Sequence, residues 1–243
     1  MKDILQDIVA HTHSLGFLPL VKISGEDKTT TIESMAEDRS VIVSATAHTP
    51  VVEFKGTFGM PNLDKLNLHL KNPEYKENAQ INVVTADRNG TVIPTGLHFK
   101  NQAGDFQNDY RFMNSDIINE KLKTVKFKGA SWEVEFEPSI SAIQRLKLQA
   151  EAHNEENVFQ VRTENGNLVV FFGDAASHAG SFVFQANITG KLKHTWAWPV
   201  TQVRSILNLG GKVTMKIADS GAMQITVDSG IAEYNYILPA QSK

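Results

Sequence analysis

The stretch Glu137-Pro-Ser-Ile-Ser-Ala-Ile-Gln-Arg-Leu-Lys-Leu-Gln-Ala-Glu-Ala-His-Asn154 decides the fold, because it is the longest helical pattern in a chain otherwise written in short strand patterns. Pro138 stands where a helix can begin, and the Ser139 hydroxyl is a favourable N-cap acceptor for a free N–H of the first turn. Ile140, Ile143, Leu146 and Ala150 recur at steps of three and four, which predicts one apolar face. Arg145, with Gln144, Ser141 and Ala152, falls on the other face. One strand pattern precedes this helix and three follow it.

The same unit recurs on either side. Residues 1–15 predict a helix with Ile4, Leu5, Ile8, Thr12 and Leu15 on one side, Asp3 and Asp7 opposite, and Gly16 as its stop. β-Branched or alternating strand patterns follow at 18–24, 29–35, 40–46 and 51–57, with polar turns at 25–28 and 37–39. Residues 61–71 predict a second helix with Leu63, Leu66 and Leu70 on its apolar side and Asp64, Lys65 and Lys71 towards the other. The alternation of Leu66, Leu68 and Leu70 would also suit a strand. Strands resume at 80–86, 91–100 and 106–113, and the Asn-Gly pair of Asp87-Arg-Asn-Gly90 marks a hairpin. Residues 114–124 are polar around a small apolar cluster and predict a connector. Further strands are expected at 126–136, 158–164, 168–173, 181–188 and 191–198, with Asn165-Gly166 as a turn. A fourth helix spans 199–209, with Pro199 at its first position and Gly210-Gly211 at its end. Strands at 212–218, 223–228 and 232–239 close the chain.

The helices thus start near Lys2, Pro61, Ser139 and Pro199, about 60, 78 and 60 residues apart, and three strands fill each interval. The regular spacing predicts an α+β fold of two similar domains, 1–113 and 125–243, joined by the connector 114–124. Each domain is two copies of a strand–helix–three-strand unit. Two short helices per domain cannot cover the strands on both faces, so curved antiparallel sheets with the helices gathered on one side are expected. Such domains joined head to tail can close a ring with helices inside and sheets outside, because a heterologous contact that closes gives a cyclic oligomer.

Composition narrows the function. The chain has 243 residues, 41% of them hydrophobic and 21% charged, enough for a packed core. It has no cysteine, which excludes disulfides, thiolate catalysis and cysteine-bound metal. No run approaches the length of a membrane span and the N-terminus lacks the apolar core of a signal peptide, so a cytosolic protein is expected. A formal charge of −3 argues against a globally basic nucleic-acid binder, but not against a local basic surface. His11 and His13 diverge on a helix, and His178 and His194 lie in or near loops, so no metal is expected. Asp174-Ala-Ala-Ser-His178 lacks a nucleophile elbow, and neither a Walker loop nor a dinucleotide fingerprint occurs. Trp132, Trp196 and Trp198 alternate with apolar neighbours and are expected in packing or subunit contact. No catalysis and no cofactor are anticipated.

With the four-helix rhythm, three features carry a resemblance. The chain starts inside its first helix. Its second half contains Thr195-Trp-Ala-Trp-Pro-Val-Thr-Gln-Val-Arg204 followed by Val213-Thr-Met-Lys-Ile217. It ends in Glu233-Tyr-Asn-Tyr-Ile-Leu-Pro-Ala240. In these respects the sequence resembles sliding DNA clamps, the polymerase processivity factors, and most closely the trimeric clamp of tailed bacteriophages. The resemblance implies a homotrimeric ring that encircles double-stranded DNA without reading its sequence, tethers the DNA polymerase, and works in the cytoplasm, that of the host if phage-encoded. The implied phosphate contacts are Lys2, Lys65, Lys71, Arg145, Lys147 and Arg204, with Arg145 best placed and Lys147 nearer the apolar side. The implied site for short apolar peptides of polymerase and clamp loader comprises Ile117 and Ile118 in the connector and Ile237, Leu238 and Pro239 at the end. The first helix fits least well, since it offers aspartates where phosphates would lie. The alternative is a β-rich structural component of a phage tail or capsid, against which the four evenly spaced helices argue.

Overall fold

A computed structural model describes residues 1–88, 90–123, 129–174, 176 and 178–241, all but the side chain of Arg88. By packing, the chain divides into two compact units. One is Met1–Val125 with Ser229–Tyr234, and the other is Lys126–Asp228 with Asn235–Lys243.

In the first unit α1 (Lys2–His11) buries Ile4, Leu5, Ile8 and Val9. The helix is shorter than its pattern predicts. The Thr12 hydroxyl donates to the Ile8 carbonyl at 2.6 Å, and a 3-10 turn, His13–Leu15, ends at Gly16 with φ 86°. Leu15 is consequently only half-buried. The strands β1 (Val21–Gly25), β2 (Thr30–Met35), β3 (Ile42–Ala47) and β4 (Gly56–Met60) follow, antiparallel in the order β4-β1-β2-β3. Each of the first three alternates buried and less buried residues, so one face meets the core. The strand expected at 51–57 begins only at Gly56. Residues 51–54 make a turn closed by Phe54 N–H donating to Val51 O at 2.9 Å, which drops Phe54 into the core. Next come α2 (Leu63–Lys71), a 3-10 turn Pro73–Tyr75, and the antiparallel sheet β5 (Gln80–Arg88), β6 (Thr91–Lys100) and β7 (Gln107–Arg111). α2 is a helix rather than a strand because Leu63, Leu66 and Leu70 all reach the core, each contributing about 1.5–3 kcal/mol of transfer free energy, while Leu68 is exposed. The Asp87 carboxylate caps the β5–β6 turn by accepting from Gly90 N–H at 2.9 Å; Asn89 of the expected hairpin lies outside the described residues. α3 (Ser115–Lys121) occupies most of the expected connector, capped by Asn114, whose side chain accepts from Ile117 N–H at 3.0 Å.

In the second unit β8 (Val134–Phe136) leads into α4 (Ile140–Ala152), the helix of the opening stretch, and Ser139 Oγ accepts from Ala142 N–H at 3.1 Å as the sequence predicts. Of the strand expected over 126–136, the described part, 129–136, is strand only in its last three residues. Residues 129–133 are irregular, so Trp132 is not on a strand, and 124–128 lie outside the described residues. The apolar face of α4 also differs. Ala142, Leu146 and Ala150 point inward and Ile140 is 81% exposed. Leu146 belongs to both candidate stripes, and the stripe with two alanines lets the helix approach its sheet more closely. The strands β9 (Val158–Glu164), β10 (Asn167–Phe172), β11 (Gly180–Gln185) and β12 (Trp196–Pro199) form one sheet in the order β11-β10-β9-β12. After α5 (Val200–Leu207), the strands β13 (Lys212–Ala218), β14 (Ala222–Asp228) and β15 (Ala232–Pro239) join β8 in the order β15-β14-β13-β8. The first residues of β15, to Tyr234, count with the first unit and flank β3 there.

The two units repeat one topology. β4 pairs with β1 as β12 pairs with β9. Gly59 bridges Met113 as Ala197 bridges Gln241. α1 and α2 pack together in one unit, α4 and α5 in the other. Strand–helix–three-strand is the period, as the sequence implies: β4-α2-β5-β6-β7, β8-α4-β9-β10-β11 and β12-α5-β13-β14-β15. Only the run beginning at α1 has no leading strand among the described residues.

Candidate nucleic-acid interface

The four repeat helices carry all six of the expected DNA-contact residues. Lys65 and Lys71 are exposed on α2, and Arg145 and Lys147 are exposed on α4. Arg204 is half-buried on α5. With Lys2 of α1 they are six basic residues against four acidic ones, Asp3, Asp7, Asp64 and Glu151, a net +2 on helices of a chain whose total is −3. On α4 the two cations flank the exposed side from opposite edges, with Gln144 and Leu148 between them. Lys147 is exposed rather than tucked towards the apolar side.

Most of the strand cations pair with carboxylates; among the described residues Lys100 of β6 does not. Lys22 meets Glu33 at 3.0 Å, Arg162 meets Glu164 at 2.5 Å, Lys212 meets Glu137 at 3.1 Å and Lys216 meets Glu135 at 3.0 Å, all from strands. Among the described residues no Lys or Arg of α1, α2, α4 or α5 makes an ion pair. Lys2 Nζ instead donates to the carbonyls of Tyr75 at 2.7 Å and Lys76 at 3.4 Å. His69, on α2, adds none, because burial, reinforced by the charge of Lys65, holds its imidazole below the ordinary value.

Asp7 corrects the sequence reading of α1. It does not lie opposite the apolar face but is buried, and its Oδ2 accepts from the Tyr234 hydroxyl at 2.8 Å. His11 Nδ1 lies 3.3 Å from Asp7 Oδ1, and its ring stacks on Tyr234 with centroids 4.3 Å apart. One of the two aspartates thus leaves the exposed face of α1, and Asp3 remains. A groove of about 180 Å³ between α1 and α2 is lined by Gln6, Ser14, Asn67 and Lys71. Beside Lys71, the neutral Gln6, Ser14 and Asn67 are not found by charge alone. The spacing of Asn67 from Lys71, one helical turn, was the signal available.

The expected partner residues divide by exposure. In the first unit Ile117 is 43% exposed on α3, whereas Ile118 is fully buried against Gly59. In the second unit Ile237 and Leu238 are buried and Pro239 is exposed. Trp198 packs in the core and its Nε1 donates to Leu238 O at 3.1 Å.

No family model matches the chain, and no curated protein does. Solved structures match it over its full length. The structure described as the C-terminal region of FEN-1 bound to A. fulgidus PCNA aligns with a TM-score of 0.69 at 12% identity, covering 100% of this chain and 95% of the other. PCNA from Thermococcus kodakaraensis aligns at 0.66 and 11% identity, covering 98% and 96%. The chain has the fold of these clamps. No helix among the described residues is long and apolar enough to cross a membrane.

Proposed function

We propose that this protein is a sliding clamp, a non-enzymatic ring that encloses duplex DNA and tethers its polymerase. The observation that carries the reading is the set of helix cations without carboxylate partners, on a fold shared with PCNA. Paired charges on the sheets are neutralised locally, whereas Lys65, Lys71, Arg145, Lys147 and Arg204, with Lys2, remain available to phosphates in a sequence-independent manner. The fold likeness lends no support to a tail or capsid component. The kinship with phage clamps rests on the sequence resemblance, as does the placement in a host cytoplasm.

Self-association follows from the repeat. β3 is flanked by the start of β15. The counterpart of β3 is β11 and that of β15 is β7, and both have an unpaired edge. Pairing β7 of one copy with β11 of the next is a heterologous contact, and six domains per ring make a homotrimer. The segment 114–124 is the connector between the two domains. By the same resemblance, short apolar peptides of polymerase and clamp loader engage Ile117 and Ile118 of the connector and Ile237, Leu238 and Pro239 near the chain's end. Polymerase that lets go is then held beside its template at high effective concentration.

The test is processive synthesis by the replicative polymerase of the same source on primed circular DNA. Addition of the protein should lengthen products on the circle and not on linear DNA with open ends, and Lys65→Glu with Arg145→Glu should remove most of the gain. Sedimentation should give three times 26.9 kDa. A strict monomer at high concentration, or unchanged stimulation by the double variant, defeats the ring and its inner wall respectively.

A further inference from the structure

The repeat exposes one unfilled position. In each unit the leading strand of one copy pairs with the first strand of the other: β4 with β1, β12 with β9, and β8 with β13. By the same rule β5, the counterpart of β13, should be flanked by a strand, and none of the described residues provides it. Among the described residues no strand pairs with β5 on the side away from β6.

The consequences are visible in burial and composition. Met215 and Ile217 of β13, opposite Phe136 and Val134 of β8, are buried. On β5 no described residue is buried, and Ile81, Val83 and Val84 remain half-covered. Natural sheets protect such edges with lysine, proline or very short strands. Gln80-Ile-Asn-Val-Val-Thr-Ala86 has no charge and no proline, on a strand of nine residues.

We propose that the free edge of β5 is a docking site for an extended peptide of a partner protein, which adds as a short antiparallel strand with alternating apolar residues. β8 shows the kind of occupant: three residues, Val134-Glu135-Phe136, with the two apolar side chains turned to the core. A second copy of β5 fits less well, because the register shift between Val84 and Thr85 interrupts the even edge that a nine-residue self-pair needs while leaving room for a strand as short as β8. The inference goes beyond the clamp reading and does not depend on it.

The probe is the capped peptide Ser-Trp-Glu-Val-Glu-Phe-Glu-Pro, residues 131–138 of this chain, added to the intact protein and followed by amide hydrogen exchange. Binding near saturation should slow exchange within residues 80–87 by about tenfold. Two versions N-methylated at the residues equivalent to Val134 and Glu135 separate strand addition from apolar adhesion without altering the protein. One should lose binding and the other keep it, because alternate amides face the partner strand. The proposal is overturned by unchanged exchange at 80–87, by protection confined to residues 212–218, by equal binding of both methylated peptides, or by protection at 80–87 that rises with protein concentration alone.

Discussion

At the scale of single residues, position in space overrode pattern. Asp7 falls on the polar side of a helical wheel, yet Tyr234, distant in sequence, supplies a hydroxyl that makes its burial tolerable. Tyr234→Phe should therefore destabilise the protein by about 1–3 kcal/mol, since it withdraws a donor from a buried carboxylate; the urea midpoint measures this. Tyr110 makes the opposite electrostatic case. Its hydroxyl donates to Pro61 O, and burial, with Asp64 adding to it, raises its phenol above the ordinary value. A raised value means that the stabilising neutral form is intact below about pH 10 and that its contribution is lost as pH rises towards the folded value. Stability measured across the alkaline range should fall less steeply for Tyr110→Phe than for the parent. None of these pairings was legible in the sequence, because each joins residues that only the fold brings together.

At the scale of elements the sequence was more informative. All four repeat helices and the three-strand intervals were readable from period and punctuation, since Ser139, Gly16, Pro199 and Gly210 act locally. The inward face of α4 was not, because which of two overlapping apolar stripes turns in is settled by the sheet it meets. β8 was overestimated because aromatic and apolar residues such as Trp132, Val134 and Phe136 mark strand tendency, whereas strand length depends on a partner. The end of α4 depends on a glycine for a related reason. A Cβ on Gly180 of β11 would overlap His153 Nε2 and lie 2.6 Å from Gln149 Oε1. Gly180→Ala should destabilise by about 1–3 kcal/mol as an overpacked contact. In a His153→Ala background the penalty should shrink, and the double-mutant cycle from urea titrations should show a coupling of at least about 0.5 kcal/mol.

At the scale of the whole molecule, the charge of the chain concealed its distribution. A total of −3 says little, whereas among the described residues most strand cations pair with carboxylates and those of the four repeat helices do not, which is the basis for proposing the helices as the surface that meets a polyanion. The expected contact residues were found from helical angle, and their freedom from carboxylates required coordinates. The twofold repetition of topology within one chain has a further consequence, which concerns end groups. β7 and β11 are different edges, so an assembly growing through the proposed β7–β11 joint would have two unlike ends, each capable of a single kind of joint. A variant blocked at β7, for example by Asn108→Pro, can only receive at β11, and one blocked at β11 by Val183→Pro can only receive at β7. Each alone should be monomeric, and an equimolar mixture should stop at a one-to-one dimer, with neither trimer nor longer chain detectable by mass photometry. The two variants act as chain terminators of opposite sense.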